Sequence, residues 1–194
     1  MKLTPNSFVV ANSNKCKGCK ACEIACFAAH NKNNNVGLTV GTVTTPVIPR
    51  LNVIKAEDLE VPVQCRHCEA APCANVCPVG AIVQQDNTII IDEKACVGCK
   101  SCLLACPIGA IDLYPMYDKG EEVMQVNLKT VQQEKLENKV KQTAYKCDLC
   151  IEQGKPACVE ACPENALSLV TPMKEKKQRN REAALSLLKT MNNY

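Results

Sequence analysis

The chain has 194 residues, a formal charge of +3, sixteen cysteines, 3% aromatic residues and no Trp. The 46% hydrophobic share counts those cysteines, so the aliphatic supply is thinner than it looks. This composition excludes a core built on large rings and a disordered chain, and it points to a bound inorganic core.

Met1 to Asn14 contain one Lys and no apolar h-region or twin-Arg pair, so no secretory signal is read and a cytoplasmic location is expected. No apolar run approaches the roughly 20 residues of a membrane span. In a reducing compartment many cysteines mean metal binding or thiol redox chemistry rather than disulfides. Spacing must decide.

Group one follows, C-K-G-C-K-A-C-E-I-A-C, with Cys16, Cys19, Cys22 and Cys26. His30, beside the polar tract N-K-N-N-N, reads as a surface residue. Gly37 to Val63 is rich in Val and Thr and broken by Pro46, Pro49 and Pro62, which suggests short strands or an extended cover. Group two is C-R-H-C-E-A-A-P-C-A-N-V-C-P, with Cys65, Cys68, Cys73 and Cys77, and His67 inside it reads as a packing or hydrogen-bonding residue. Ala81 to Val83 and Thr88 to Asp92, around Gln85-Asp86-Asn87, read as a hairpin.

Group three is C-V-G-C-K-S-C-L-L-A-C-P, with Cys96, Cys99, Cys102 and Cys106. In the insertion at 114–145, Glu122 to Leu128 alternates like a strand and Val131 to Val140 is compatible with a helix; cluster shielding and partner docking both fit it. Group four is C-D-L-C-I-E-Q-G-K-P-A-C-V-E-A-C-P, with Cys147, Cys150, Cys158 and Cys162. After Pro172, Ala184, Leu187, Leu188 and Met191 recur at helical spacing, so residues 173–194 are expected to form an amphipathic docking or assembly helix.

Groups one and three follow the bacterial ferredoxin run, in which three thiolates on a short loop cap three irons and the fourth Cys reaches a second cluster. Groups two and four keep the opening C-x-x-C and the closing C-x-x-x-C and lengthen the middle gap. A structural zinc site is the rival, but four thiolates around zinc need no third Cys followed by C-x-x-x-C-P. No C-x-x-C-H occurs, which removes covalent haem.

C-P-V-G-A-I-V, C-P-I-G-A-I-D and C-P-E-N-A-L-S repeat after three of the groups. Residues 65–113 therefore read as one inner two-cluster ferredoxin unit. Residues 1–64 and 114–172 form the outer unit, so the fold class is α+β, two nested 2[4Fe-4S] ferredoxin units with little regular secondary structure. Exchange of fourth ligands gives the sets Cys16, Cys19, Cys22 with Cys162, and Cys147, Cys150, Cys158 with Cys26. The inner sets are Cys65, Cys68, Cys73 with Cys106, and Cys96, Cys99, Cys102 with Cys77.

Three stretches carry a closer resemblance: S-F-V-V-A, Q-C-R-H-C-E-A-A-P-C-A-N-V-C-P-V-G-A-I, and K-C-D-L-C with P-A-C-V-E-A-C-P. Residues 1–170 resemble the four-cluster electron-transfer subunits of formate hydrogenlyase, hydrogenase and formate dehydrogenase systems, and more distantly the iron-sulfur subunits of dimethyl-sulfoxide reductase-type enzymes. The resemblance implies a polyferredoxin from an anaerobic oxidoreductase complex, relaying electrons between a molybdenum or tungsten formate dehydrogenase-type (CO2-reducing) subunit and a hydrogenase subunit. Some of those relatives place another residue where Cys99 stands; here all sixteen Cys are kept, so four [4Fe-4S] clusters are expected. One departure is Phe27 after Cys26, where the other three groups have Pro, though the ligand itself is present.

By compact-chain scaling the body is roughly 40 Å across, which puts neighbouring clusters on the order of 10 Å apart. Oxidised clusters of about −2 each bring the loaded protein to about −5, so nucleic-acid binding has little charge support. The basic tract at 174–181, interrupted by Glu175, reads as a solvated helix face. There is no nucleophile-base constellation or phosphate loop, so the chain is read as no enzyme in itself. The alternatives are an electron-transfer subunit of another molybdopterin oxidoreductase and a zinc-bound structural module. Other copies of the chain, or related ferredoxin-like subunits, are further partners expected at the C-terminal helix.

Overall fold

The computed structural model describes residues 5–32, 45–57, 59–129 and 136–191. Its described strands pair only as two-stranded antiparallel ladders, and its helices before residue 172 are short. The chain is thus α+β, built from small helices and short two-stranded ladders.

From the start, β1 (Phe8–Ala11) leads through a turn to α1 (Ala21–His30), and β2 (Leu51–Ala56) pairs with β3 (Leu59–Gln64). α2 (Pro72–Asn75) precedes the hairpin β4 (Ile82–Gln85) and β5 (Thr88–Ile91). Asp86 and Asn87 form its two-residue turn with φ of 48° and 61°, the left-handed pair that matches strand twist. α3 (Ser101–Ala105) leads to β6 (Asp112–Pro115).

Within the insertion, β7 (Tyr117–Asp118) pairs with β8 (Glu121–Glu122), and β9 (Met124–Lys129) with β10 (Leu136–Val140). The helix expected over Val131 to Val140 is therefore corrected: residues 136–140 are a strand, and 131–135 lie outside the described residues. Ladder pairing with β9 overrides a weak local helix preference. Strand β11 (Gln142–Tyr145) then returns to β6. Of the stretch Gly37 to Val63, residues 37–44 lie outside the described residues and the rest contains β2 and most of β3.

A 3-10 turn at Ile151–Gln153 and α4 (Ala157–Glu160) lead to β12 (Leu167–Val170), which pairs with β1 from Phe8↔Val170 to Ala11↔Leu167. The two ends of the body are zipped together. α5 (Pro172–Met191) follows without a buried residue.

The apolar interior is divided. Ile82, Ile89, Ile111 and Ala144 pack around Cys73 and Cys102, while Val9, Leu51 and Leu167 pack around Cys22, Cys26 and Cys158. Cys65, Ala110 and Cys147 make a small third cluster, with Cys106 and Leu149 against it.

Leu51 is 2% exposed in the second cluster, so Leu51→Ala is expected to cost about 2–5 kcal/mol. Anaerobic unfolding of the iron-loaded protein measures this, and an unchanged transition would contradict the packing.

Candidate metal centres

Each group opens with the same backbone device. The residue before the second Cys has positive φ in all four: Gly18 (63°), His67 (49°), Gly98 (69°) and Leu149 (62°). This left-handed step curls C-x-x-C into a loop, and two groups meet its steric cost with Gly while two place a side chain there. A second left-handed residue closes three groups after Cys-Pro, at Gly80, Gly109 and Asn165. Group one lacks the Pro, and α1 runs on through Phe27 to His30. In group three Cys106 is extended (ψ 114°) and the helix has ended, as expected of a residue before Pro107.

The thiols gather across groups. Cys16, Cys19, Cys22 and Cys162 line one small cavity. Cys77, Cys96, Cys99 and Cys102 line another of similar size. Elsewhere burial, with Cys106 and Cys68 close by, raises the Cys65 thiol, and burial with Cys65 and Cys106 close by raises Cys73. Burial holds the Cys147 thiol well up, with Cys26 and Cys158 as neighbours; burial, then Cys26, Cys150 and Cys22, pushes Cys158 up to about 12. Buried thiols this reluctant to ionise alone are suited to a cationic inorganic group that stabilises the thiolate.

Backbone donors are already in place. Cys65 Sγ accepts from His67 N–H at 3.3 Å and Cys147 Sγ from Leu149 N–H at 3.4 Å. Cys106 Sγ accepts from Ala110 N–H at 3.4 Å and Cys162 Sγ from Ala166 N–H at 3.3 Å. Arg50 N–H does the same for Cys26 Sγ at 3.3 Å. Such bonds favour sulfur in its charged state and are a lever on cluster potential. The donor sets and their surroundings therefore fit [4Fe-4S] clusters.

His67 packs as expected, 1% exposed. Its Nδ1 accepts from Ile89 N–H at 3.0 Å, so Nε2 bears the proton and has no protein partner. Burial, then the charge of Lys146, lowers its pKa to about 3, keeping it neutral. Lys146 is itself 2% exposed and donates to the carbonyls of Ile89 and Cys147.

His30 corrects the surface reading. Its Nδ1 donates to Cys26 O at 2.7 Å and its Nε2 to Asp148 at 2.9 Å. Burial pulls the imidazole down, but Asp148 and the Cys150 and Cys26 sulfurs outweigh it and hold the ring protonated. Arg50 joins the same network, donating to Asp148 at 2.8 Å and Glu93 at 2.6 Å. His30, Asp148 and Cys150 bring ligand-type atoms within 4.8 Å of one another, but a ring donating from both nitrogens has no lone pair for a metal. Sequence reasoning missed Arg50, Glu93, Asp148 and Lys146. Asp148 and Lys146 at least flank Cys147, whereas nothing near Arg50 in the chain marks it.

A [4Fe-4S] protein is what this arrangement of thiols, turns and sulfur-directed amides defines. Residues 88–163 match the model of a 4Fe-4S dicluster domain, and residues 13–26 that of a 4Fe-4S binding domain. The electron transport protein HydN of Escherichia coli K12 is 39% identical over 168 residues, covering 85% of this chain and 88% of that protein. Hydrogenase-4 component A of the same strain is 38% identical over 197 residues, covering 92% and 91%. The "Putative oxidoreductase AegA" is 45% identical over 167 residues, and there the chain spans only 22% of the relative's length. The chain belongs to the family of ferredoxin-like [4Fe-4S] electron-transfer proteins. Its role is electron transfer within an oxidoreductase system rather than catalysis on a substrate.

Gly98 and Gly80 share a positive φ, but a Cβ at Gly98 would meet Gln142 O at 2.8 Å, whereas one at Gly80 meets nothing within 4 Å. Gly98→Ala should therefore destabilise the iron-loaded protein by about 1–3 kcal/mol, and Gly80→Ala by less. Iron retention during anaerobic heating compares the two, and equal losses would contradict the close approach.

Proposed function

We propose that four [4Fe-4S] clusters occupy two nested ferredoxin units and form a single relay from Cys19 at one end to Cys99 at the other. The ligand sets are Cys16, Cys19, Cys22 and Cys162; Cys26, Cys147, Cys150 and Cys158; Cys65, Cys68, Cys73 and Cys106; and Cys77, Cys96, Cys99 and Cys102. Each cluster, when bound, takes up and releases one electron.

The observation that carries this reading is the pattern of thiol exposure. Of the sixteen cysteines only Cys19 and Cys99 are exposed, while Cys26, Cys147, Cys150, Cys158, Cys65 and Cys73 are buried. Neighbouring groups support the order: Cys22 lies beside Cys158, Cys65 packs with Cys147, and Cys73 packs with Cys102. The outer unit comprises 1–64 and 114–172, supported by the β1–β12 ladder, and the inner unit is 65–113.

Hydrogenase-4 component A supports a hydrogenase subunit as one partner. A molybdenum or tungsten formate dehydrogenase-type subunit is the other, on the family resemblance. No helix among the described residues is long and apolar enough to cross a membrane. The cytoplasm is the proposed compartment because free thiols on this scale need a reducing environment.

Helix α5 is the proposed assembly element, its occupant a further ferredoxin-like subunit or copy of this chain. Leu187 is 65% and Met191 72% exposed. Lys174, Lys176, Lys177, Arg179, Arg181 and Lys189 outnumber Glu175 and Glu182, complementing an iron-loaded body of opposite sign.

Protein purified without oxygen should contain about sixteen iron and sixteen inorganic sulfide per chain; zinc without sulfide would sink the reading. Cys26→Ser should alter the same paramagnetic resonance signal as Cys150→Ser and leave the one altered by Cys19→Ser. The reverse would mean that groups do not exchange ligands. Deleting residues 173–194 should leave iron content intact and weaken assembly, and iron loss with normal assembly would make α5 an internal strut.

A further inference from the structure

Among the described residues, Lys146 is the one Lys, Arg, Asp or Glu that is buried, at 2% exposure. Its ammonium donates to Ile89 O and, at 2.9 Å, to Cys147 O. No described carboxylate pairs with it. Two of its three N–H groups are thus used on carbonyls, and its charge has no counter-ion among the described side chains. An ammonium buried without an opposite charge is costly, so this position calls for an anion that those side chains do not supply.

Lys146 immediately precedes Cys147, yet its side chain reaches across to the inner unit. Ile89, whose carbonyl it holds, packs in the apolar cluster around Cys73. Ile89 N–H donates to His67 Nδ1 at 3.0 Å, and His67 N–H donates to Cys65 Sγ at 3.3 Å. After burial, which raises both thiols, the charge of Lys146 is the strongest influence on Cys65 and on Cys73, and it acts to lower them. For Cys147, burial and the Leu149 amide aside, the charges in play are those of Cys26, Cys158 and Asp148.

The other charged groups around the two buried sites are balanced or face water. Arg50 and the protonated His30 meet Asp148 and Glu93. Arg66 and Glu69, next to Cys65 and Cys68 in the chain, are exposed, and His67 is neutral. The position ahead of the first Cys holds Lys15, which is exposed, in group one, and the uncharged Gln64 and Ala95 in groups two and three. A buried cation there is particular to group four.

We propose that Lys146 sets the two buried sites of the relay apart in reduction potential. Its ammonium is the counter-ion of the site of Cys65, Cys68, Cys73 and Cys106, which therefore accepts an electron more readily than the neighbouring site of Cys26, Cys147, Cys150 and Cys158. Reduction adds one negative charge close to a fixed positive one in a medium that screens poorly. The electron comes from the neighbouring site of the relay; no bond is made or broken and no proton is exchanged. Lys146 touches no ligand sulfur and acts through its charge. The proposal rests on the ligand sets given above: a parent protein with far less iron than they require fails those sets, whereas full iron with no effect of Lys146 fails this proposal alone.

The test is a titration of the anaerobic, iron-loaded, full-length protein with dithionite, followed by paramagnetic resonance. The signal altered by Cys68→Ser marks the first site, and the signal altered by Cys150→Ser marks its neighbour. Lys146→Met, which keeps the length of the side chain and removes its charge, should make reduction of the first site about tenfold less favourable, a fall of about 59 mV for one electron. The neighbour should move by less than half as much. Lys146→Arg keeps the charge and should stay within about twofold of the parent. Lys146→Gln, which retains a donor for the carbonyls, should show the same fall and serves if the Met variant loses iron. An unchanged potential in an iron-replete Met or Gln variant would overturn the proposal, as would an equal shift at both sites or an Arg shift as large as that of Met. Should neither neutral variant hold iron, the parent decides, and a first site that titrates below its neighbour discards the proposal.

Discussion

Convergence of thiols from distant parts of the chain is the constraint on which the rest of this structure depends. The apolar core is split into small clusters built partly from the cysteines themselves, and the described sheets are no wider than two strands. Isolated two-stranded ladders and four-residue helices are marginal in water. A group bound only in the folded state adds its binding free energy to folding, which is how such thin layers can persist. The β1–β12 ladder joins the same two chain segments whose cysteines, Cys16, Cys19 and Cys22 from one and Cys162 from the other, line a single cavity.

Charge is arranged around the buried middle of the chain. Lys146 is enclosed between Ile89 and Cys147 and lowers the cost of ionising Cys65 and Cys73. Arg50 connects segments that are far apart in sequence, binding Asp148 within group four, Glu93 ahead of group three and, through its amide, Cys26. A buried positive charge such as Lys146 would favour the reduced form of a cluster held by Cys65 and Cys73, whereas the charge of Arg50 is balanced by Asp148 and Glu93.

Much of the local architecture could be read from the sequence because it depends on near neighbours. The C-x-x-C turns, the hairpin at Asp86-Asn87 and the end of α3 before Cys106-Pro107 follow from residues a few positions apart. His30 could not be placed that way: its partner Asp148 lies 118 residues along the chain, and the adjacent polar tract gave a local signal that pointed to the surface. Arg50 is similar, since its value comes from three segments meeting. Leu136–Val140 became a strand because β9 offers a ladder, a tertiary gain that no periodicity count contains.

Anomalous X-ray diffraction at the iron edge, on crystals of the anaerobic iron-loaded protein, tests the exchange of ligands between groups most directly. Four iron peaks are expected, each with three sulfur ligands from one cysteine group and one from its partner group, Cys162 joining Cys16, Cys19 and Cys22. Four peaks each surrounded by the cysteines of a single group would contradict the nested arrangement.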